Sequence, residues 1–516
     1  MHRLLRYDSD FLMQQSLSAT EAMGNNVQAF QGYALGLTTR WATFYEPFAT
    51  FLGTFLRVEE EKIFRTPPWE TFRDYMELAL FRSRLAKDKV LGSTAHMNRF
   101  LFQETVEEIN RYGSAWIDAA FGGSPWETIA DLTARKVSLL NRVMYDFPEA
   151  IRDIKPDFGF HFERSGYEKV AETDRFDLYQ VLPSDAGVAV NPKGKPVLII
   201  PPFVLGENIL CFLPKEKRSF VHAYANQGIP TYVRIVKDIQ RNEAVQVMTG
   251  EDDTLDTRVF CEAIRTRHER AIALIGFCQG GFLGTLALLS GELDGLVDAF
   301  VTCVAPIDGS RSKAIVDYLQ SVPPRFRDLA YAGKTLPNGN VVVDGKVMGW
   351  VYKFMSVAEE APAVAFFKEL EMLRGGPEEA VPKISRIAAA INHWIIYDRV
   401  SIPMEITRLS HASYTVPIAE DGTMPVTLFG KELNIRRIGE MGIPWLICTC
   451  EADAVVDPPA ALAPLDWVKA EVTMFPKGHS SIATSWSSPT SKYALHTTFG
   501  KYRGPVRFHL DLQDAK

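Results

Sequence analysis

The stretch ALIGFCQGGFLGTLALL, residues 273–289, decides how the chain is read. An apolar run from Ala271 to Phe277 stops at Gly-x-Cys-x-Gly-Gly, and a run of small and apolar residues follows. A short apolar run bounded by glycine predicts a buried strand, and the longer run after it predicts a helix. Between them the chain must reverse tightly. Gly276, Gly280 and Gly281 keep that crossing free of side chains, and Cys278 stands at its apex.

Outward from this turn the same rhythm repeats. Upstream, KPVLIIPPF (195–203) and GIPTYVRIV (228–236) predict buried strands, and YEKVAETDRFDLYQVLP (167–183) predicts two more. A helix is expected near residues 255–268. Downstream, LVDAFVTCVAPID (296–308), IPWLICTCEAD (443–453) and AEVTMFPKGH (470–479) predict further strands. Strands alternating with helices imply a mostly parallel sheet covered on both faces. About 130 residues separate Asp308 from Ile438, too many for a loop, and they hold helical stretches such as APAVAFFKELEML (361–373). They predict an inserted cap at about 308–438, with KTLPNGNVVVDGKVMG (334–349) as a hairpin inside it. Residues 1–164 predict a helical region, because FRDYMELALFRSRLAKDKV (72–90), MNRFLFQETVEEINRYGSAWIDAAF (97–121) and DLTARKVSLLNRVMYDF (131–147) space apolar residues by three and four. PPWETF (67–72) and SPWETI (124–129) look alike, and the second is a good helix start, with Ser124 as cap, Pro125 at the first position and Glu127 at the capping-box site. In WATFYEPFATFLGTFL (41–56), Phe44, Phe48, Phe51 and Phe55 form a stripe that reads either as core, broken by Pro47 and Gly53, or as an apolar face for a lipid-like or polymeric surface or a partner helix.

The fold class expected is therefore α/β, of the α/β-hydrolase kind, over residues 165–516. In that fold a nucleophile occupies a strand-to-helix elbow, and an acid and then a histidine follow in chain order. Cys278 fits the nucleophile. The acid should end a late strand: Asp453 in CEADAVVDPP does so, with Asp457 and Glu451 as rivals. Of the ten histidines, His479 in FPKGHSS lies just past a strand beyond the acid, where Gly478 would free the loop. The backbone N–H of Gln279 is the expected first oxyanion donor. Phe203 or Val204 would supply the second, since Pro201 and Pro202 have no N–H.

A thiol in place of a hydroxyl has a chemical consequence. An acyl group on cysteine is a thioester, so transfer from an acyl thioester donor is nearly thermoneutral and leaves the acyl group activated. Cysteine thus suits acyl transfer from a coenzyme A thioester better than simple hydrolysis.

Beyond the elbow, the chain resembles the polyhydroxyalkanoate synthase family over about residues 165–490. The likeness is carried by GFCQGG, by KPVLIIPPFVLGENILCFLPKEKRSFVHAYANQGIPTYV (195–233), by VTLFGKELNIRRIGEMGIPWLICTCEADAVVDP (426–458) and by the final Gly-His. The resemblance implies an α/β-hydrolase fold that polymerises 3-hydroxyacyl-coenzyme A to polyester with coenzyme A release, with Cys278 as nucleophile, Asp453 as acid and His479 as base. The thioester is then a substrate and no cofactor is implied. The chain departs from the family where RIVKDIQ (234–240) replaces a Trp-containing segment, where Ala454 follows the acid in place of histidine, and where INHWIIYDRVSIP (391–403) only partly matches a Trp-Asn cap segment. FCQGG with VAPIDGSRSKAIVDYL (304–319) is also similar to intracellular polyhydroxyalkanoate depolymerases, which lack the double glycine. The alternatives to a synthase are thus a cysteine-dependent hydrolase and a granule-associated protein without catalysis.

Composition narrows the partners. Among 516 residues, 47% are hydrophobic and 23% charged, as in ordinary globular chains, and a net charge of −7 argues against nucleic-acid binding. The expected partners are the acyl thioester and the growing polyester, with a granule surface and a second copy of the chain as further candidates. Six cysteines show no disulfide framework, and Cys448 and Cys450 read as buried strand residues. MHRLLRYDSDFLMQQ contains no long apolar segment and no window reaches about 18 apolar residues, so neither a signal peptide nor a membrane span is expected, and a cytoplasmic protein is.

Overall fold

The computed structural model describes residues 2–63, 66–85, 125–349, 362–373 and 384–488, with isolated residues between 87 and 117. By its internal contacts the chain forms two units: 1–154 with 356–389, and 155–355 with 390–516. The segment 356–389, from inside the insertion between strands, thus clusters with the N-terminal helices.

The first unit is helical. Its helices are His2–Lys62, Pro68–Leu85, Pro125–Asn141, Phe147–Asp153 and Pro362–Leu373, with a π-turn at Arg142–Asp146. Both PWET segments open helices, at Pro68 and Pro125, where the fixed proline φ suits a first turn. Ser124, its expected cap, lies outside the described residues, as does about half of 97–121. The break expected at Pro47 and Gly53 does not occur, since one helix runs through both. A proline removes one helical hydrogen bond, and a helix of 61 residues continues across that local loss. Of the phenylalanine stripe, Phe55 is among the described side chains, buried with its ring 5.9 Å from Phe81.

The second unit is built on one sheet. Its strands are β1 (Tyr167–Glu172), β2 (Phe176–Val181), β3 (Val197–Ile200), β4 (Thr231–Val236), β5 (Ile272–Phe277) and β6 (Val297–Cys303). Three short strands of the insertion follow, β7 (Gly333–Thr335), β8 (Val341–Val343) and β9 (Ile402–Pro403), then the hairpin β10 (Thr423–Leu428) and β11 (Lys431–Asn434). The main sheet resumes with β12 (Trp445–Cys450) and β13 (Glu471–Phe475). The spatial order is β1-β2-β4-β3-β5-β6-β12-β13. β2 runs antiparallel to both its neighbours, and every pair from β4 to β13 is parallel. This order, with a crossover at β3–β4 and helices between the parallel strands, is the α/β-hydrolase fold.

Burial explains the sequence pattern. The four residues of β3 and all six of β5 and of β12 are buried, which is why they read as unbroken apolar runs. The helix after the elbow, Gln279–Ser290, is apolar around its circumference because it is buried from Gln279 to Leu289. The helix expected near Leu255 begins five residues earlier, at Gly250, where Thr249 and Asp252 form a reciprocal capping box and three acidic residues fill the first turn. The expected hairpin at 334–349 is β7–β8, with β9 added at its edge. No helix among the described residues is long and apolar enough to cross a membrane.

Candidate active site

The elbow is made by backbone geometry that only glycine permits around the cysteine. Cys278 has φ 51° and ψ −123°, a conformation that costs about 1–3 kcal/mol for a residue with a side chain. It is held there by its own backbone. Its N–H donates to the Cys303 carbonyl at 2.8 Å, and its carbonyl accepts from the N–H groups of Gly281 and Phe282. A Cβ on Gly276 would lie 2.3 Å from the Gly281 Cα, one on Gly280 2.3 Å from the Ile200 carbonyl oxygen, and one on Gly281 2.6 Å from the Ala305 Cβ. These approaches let the helix start directly on top of β5 and β3. Gly280→Ala drives its new methyl into backbone atoms of β3, which cannot swing away. It is expected to lose about 1–3 kcal/mol or more of stability, read as a lower urea midpoint at unchanged slope.

The acid and the histidine meet as ordered. β12 ends in a turn that buries Asp453, 3% exposed. Asp453 Oδ1 accepts the N–H groups of Val455 and Val456, each at 2.9 Å, and Oδ2 accepts from His479 Nδ1 at 2.8 Å. The carboxylate therefore has three donors and one orientation. The turn is tied to the histidine loop by Ala452 N–H donating to the Lys477 carbonyl at 3.1 Å. The left-handed residue of that loop is Lys477, φ 71°. Gly478 lets the loop approach the acid turn, since a Cβ there would press to 3.3 Å against the Ala452 carbonyl.

His479 is 10% exposed at its side chain, with Phe277 edge-on at 6.4 Å. Burial opposes charging the ring. The Asp453 carboxylate first, and the Cys278 sulfur after it, outweigh it and hold the imidazolium well above its ordinary range. Asp457 is elsewhere: its Oδ2 accepts the Lys313 N–H at 2.6 Å, and its own N–H donates to Ser312 Oγ. Glu451 is exposed. The elbow, Asp453 and His479 thus form one cluster, and neither rival acid is hydrogen-bonded to His479.

The other cysteines are unlike Cys278, which is partly exposed; Cys211, Cys261, Cys303, Cys448 and Cys450 are buried. Burial pushes the Cys211 thiol up to about 11 and that of Cys450 to about 12. Such thiols are poor nucleophiles.

A cavity of about 90 Å³ adjoins Cys278. Apolar side chains from the insertion, among them Ile315, Leu319, Leu329 and Met348, form much of its wall. The helix Met404–Thr415 contributes Thr407, Ser410, His411 and Tyr414, spaced by three, one and three, which is one helical face. Burial pushes the His411 imidazole below its ordinary range, with Asp328 opposing. Its Nε2 is buried with no hydrogen-bond partner among the described residues. Sequence reading missed this face. The three-and-four spacing of polar residues in MEITRLSHASYT was the available signal.

The oxyanion donors differ from expectation in one respect. The N–H groups of Phe203 and Val204 do sit beside the elbow, but both point at Gln279 Oε1, at 3.3 Å each. Gln279 Nε2 in turn donates to Ser410 Oγ at 2.6 Å.

No protein-family model matches the chain, and no curated protein matches it. Solved structures similar to it include DcsB in complex with its substrate analogue (16% identity, TM-score 0.34, covering 62% of this chain and 93% of that one). The esterase domain of a Rhodothermus marinus protein (15%, 0.30, 62% and 88%) and the esterase RhEst1 from Rhodococcus sp. ECU1013 (14%, 0.33, 62% and 94%) are also similar. Identities and TM-scores this low carry no argument about function, and the fold assignment rests on the strand order and its parallel pairing.

Proposed function

We propose that the chain is an acyltransferase of the polyhydroxyalkanoate synthase type, with Cys278 as acyl acceptor. The observation that carries this reading is a partly exposed cysteine at a strained elbow, beside a histidine that packs edge-on to the neighbouring Phe277 ring and whose Nδ1 is held by a buried carboxylate. The resemblance of 195–233 and 426–458 to the synthase family supports the choice of polyester synthesis over other acyl transfers. The adjoining cavity also supports it, since a water needs about 10–15 Å³ and a space of about 90 Å³ admits a short acyl chain.

The steps follow from the groups present. With Nδ1 committed to Asp453, His479 Nε2 takes the Cys278 proton. The thiolate attacks the carbonyl carbon of a 3-hydroxyacyl thioester, a new S–C bond forms, and the C–S bond to coenzyme A breaks. The departing thiolate regains a proton from His479. The hydroxyl of a second hydroxyacyl unit then gives its proton to His479 and attacks the Cys278 thioester. An ester bond forms and the cysteine is released. Asp453 stabilises the imidazolium in both halves.

The test supplies purified protein with 3-hydroxybutyryl-coenzyme A and follows thiol release while products are separated by size. Coenzyme A release with a growing polyester is the expected result. Release with free hydroxy acid alone would replace the reading with a thiol hydrolase.

A further inference from the structure

We infer that the Gln279 side chain is a built-in occupant of the oxyanion site, held there by Ser410, so that the insertion controls whether the site can polarise a substrate carbonyl. The inference rests on the reading of Cys278 as acyl acceptor.

Two consecutive backbone N–H groups, of Phe203 and Val204, converge on a single oxygen, Gln279 Oε1, at 3.3 Å each. That is how an oxyanion hole holds a carbonyl oxygen. The oxygen here belongs to an amide of the protein itself. Meanwhile the backbone N–H of Gln279, at the first turn of its helix, has no hydrogen-bond partner among the described residues. A substrate oxygen that accepts from Gln279 N–H needs its second donor from Phe203 or Val204. It must therefore displace Oε1. Both bonds to Oε1 are long, so displacement costs little on that side. The stronger restraint is on the other end of the amide, where Nε2 donates to Ser410 Oγ at 2.6 Å. Ser410 lies in the helix Met404–Thr415, which also lines the cavity beside Cys278. An acyl chain entering that cavity presses on the same helix face that anchors the amide. Filling the cavity and freeing the oxyanion donors are thereby one event.

The test compares the full chain with its Gln279→Met, Gln279→Glu and Ser410→Ala forms. Two rates are measured: acylation of Cys278 by butyryl-coenzyme A, a donor without a hydroxyl to extend, and alkylation by iodoacetamide. Acylation passes through an oxyanion. Alkylation forms the S–C bond with loss of iodide and uses none, so it reports a folded, accessible thiol. Gln279→Met removes the acceptor and should speed acylation about 2- to 10-fold, the range that one net hydrogen bond sets. Ser410→Ala should speed it by less. Gln279→Glu offers the same two N–H groups a charged acceptor and should slow it. Alkylation should change less than acylation in all three. Acylation that Gln279→Met slows or leaves unchanged, with alkylation retained, overturns the inference and leaves the acyl-acceptor reading standing. Absence of acylation in every form, with alkylation retained, overturns the acyl-acceptor reading and the inference with it.

Discussion

Cys278→Ala is expected to lose acyl transfer by about 10⁴- to 10⁶-fold, the range seen when the nucleophile of a coupled triad is removed. The loss should be in kcat, because the cavity wall and backbone donors that bind the acyl group stay in place. Cys278→Ser is the more informative variant. It keeps a nucleophile at the same elbow, and its hydroxyl is small enough for the strained φ of 51°. If the reaction needs the acyl group to remain activated, the serine form should accept it and then stall, because an oxygen ester is a poorer donor than a thioester. The measurement is intact mass after mixing with 3-hydroxybutyryl-coenzyme A. A stable adduct of one acyl unit on Cys278→Ser, with no polymer, is the expected outcome. Full polymer formation by Cys278→Ser would contradict the account of why a thiol stands at the elbow. The effect on folding should be small, since Cys278 is partly exposed and its tether to Cys303 is a backbone bond.

How far the sequence could be read depended on whether the signal was local. The elbow was legible because each of its glycines answers a contact made within the turn itself or with the adjoining strands and strand ends. Gly280 lies against Ile200 at the end of β3, and Gly281 against Ala305 just past β6. β3, β5 and β12 were legible because strands buried on both faces become apolar runs. Asp453 ranks over Asp457 in the sequence because it ends the strand and leads into a turn, and the structure supplies the physical difference: one carboxylate meets His479 while the other accepts the backbone N–H of Lys313. What escaped was non-local or masked by polarity. The start of the 250–268 helix was missed because its first turn is acidic and capped rather than apolar. The continuous helix through Pro47 was missed because proline is a strong local signal, and the helix runs on across it. The link from Gln279 to Ser410 joins residues 131 apart in sequence, and no spacing rule connects them.

Asp453→Asn should lower acyl transfer by about 10³- to 10⁴-fold through His479, without touching the reacting atoms. Asparagine keeps the size of the side chain and can still accept the N–H groups of Val455 and Val456. It removes the negative charge facing His479 Nδ1. The imidazolium then loses the larger of its two electrostatic supports, while the burial that opposes charge remains. Its pKa should fall from well above 6.5 to near or below that value, read as a shifted ring titration by NMR. The sign of the stability effect follows. In the native chain His479 holds its proton above the pH at which the unfolded chain releases it, so folding is favoured fully below about pH 6.5 and the gain is lost as pH rises through the folded value. Native stability should therefore decline with pH over that window. In Asp453→Asn the folded value no longer lies above the unfolded one, so the decline should vanish. Urea midpoints of both forms from pH 6 to pH 9 check this. A window that persists in Asp453→Asn would mean that Cys278, not Asp453, is the charge that holds the proton on His479.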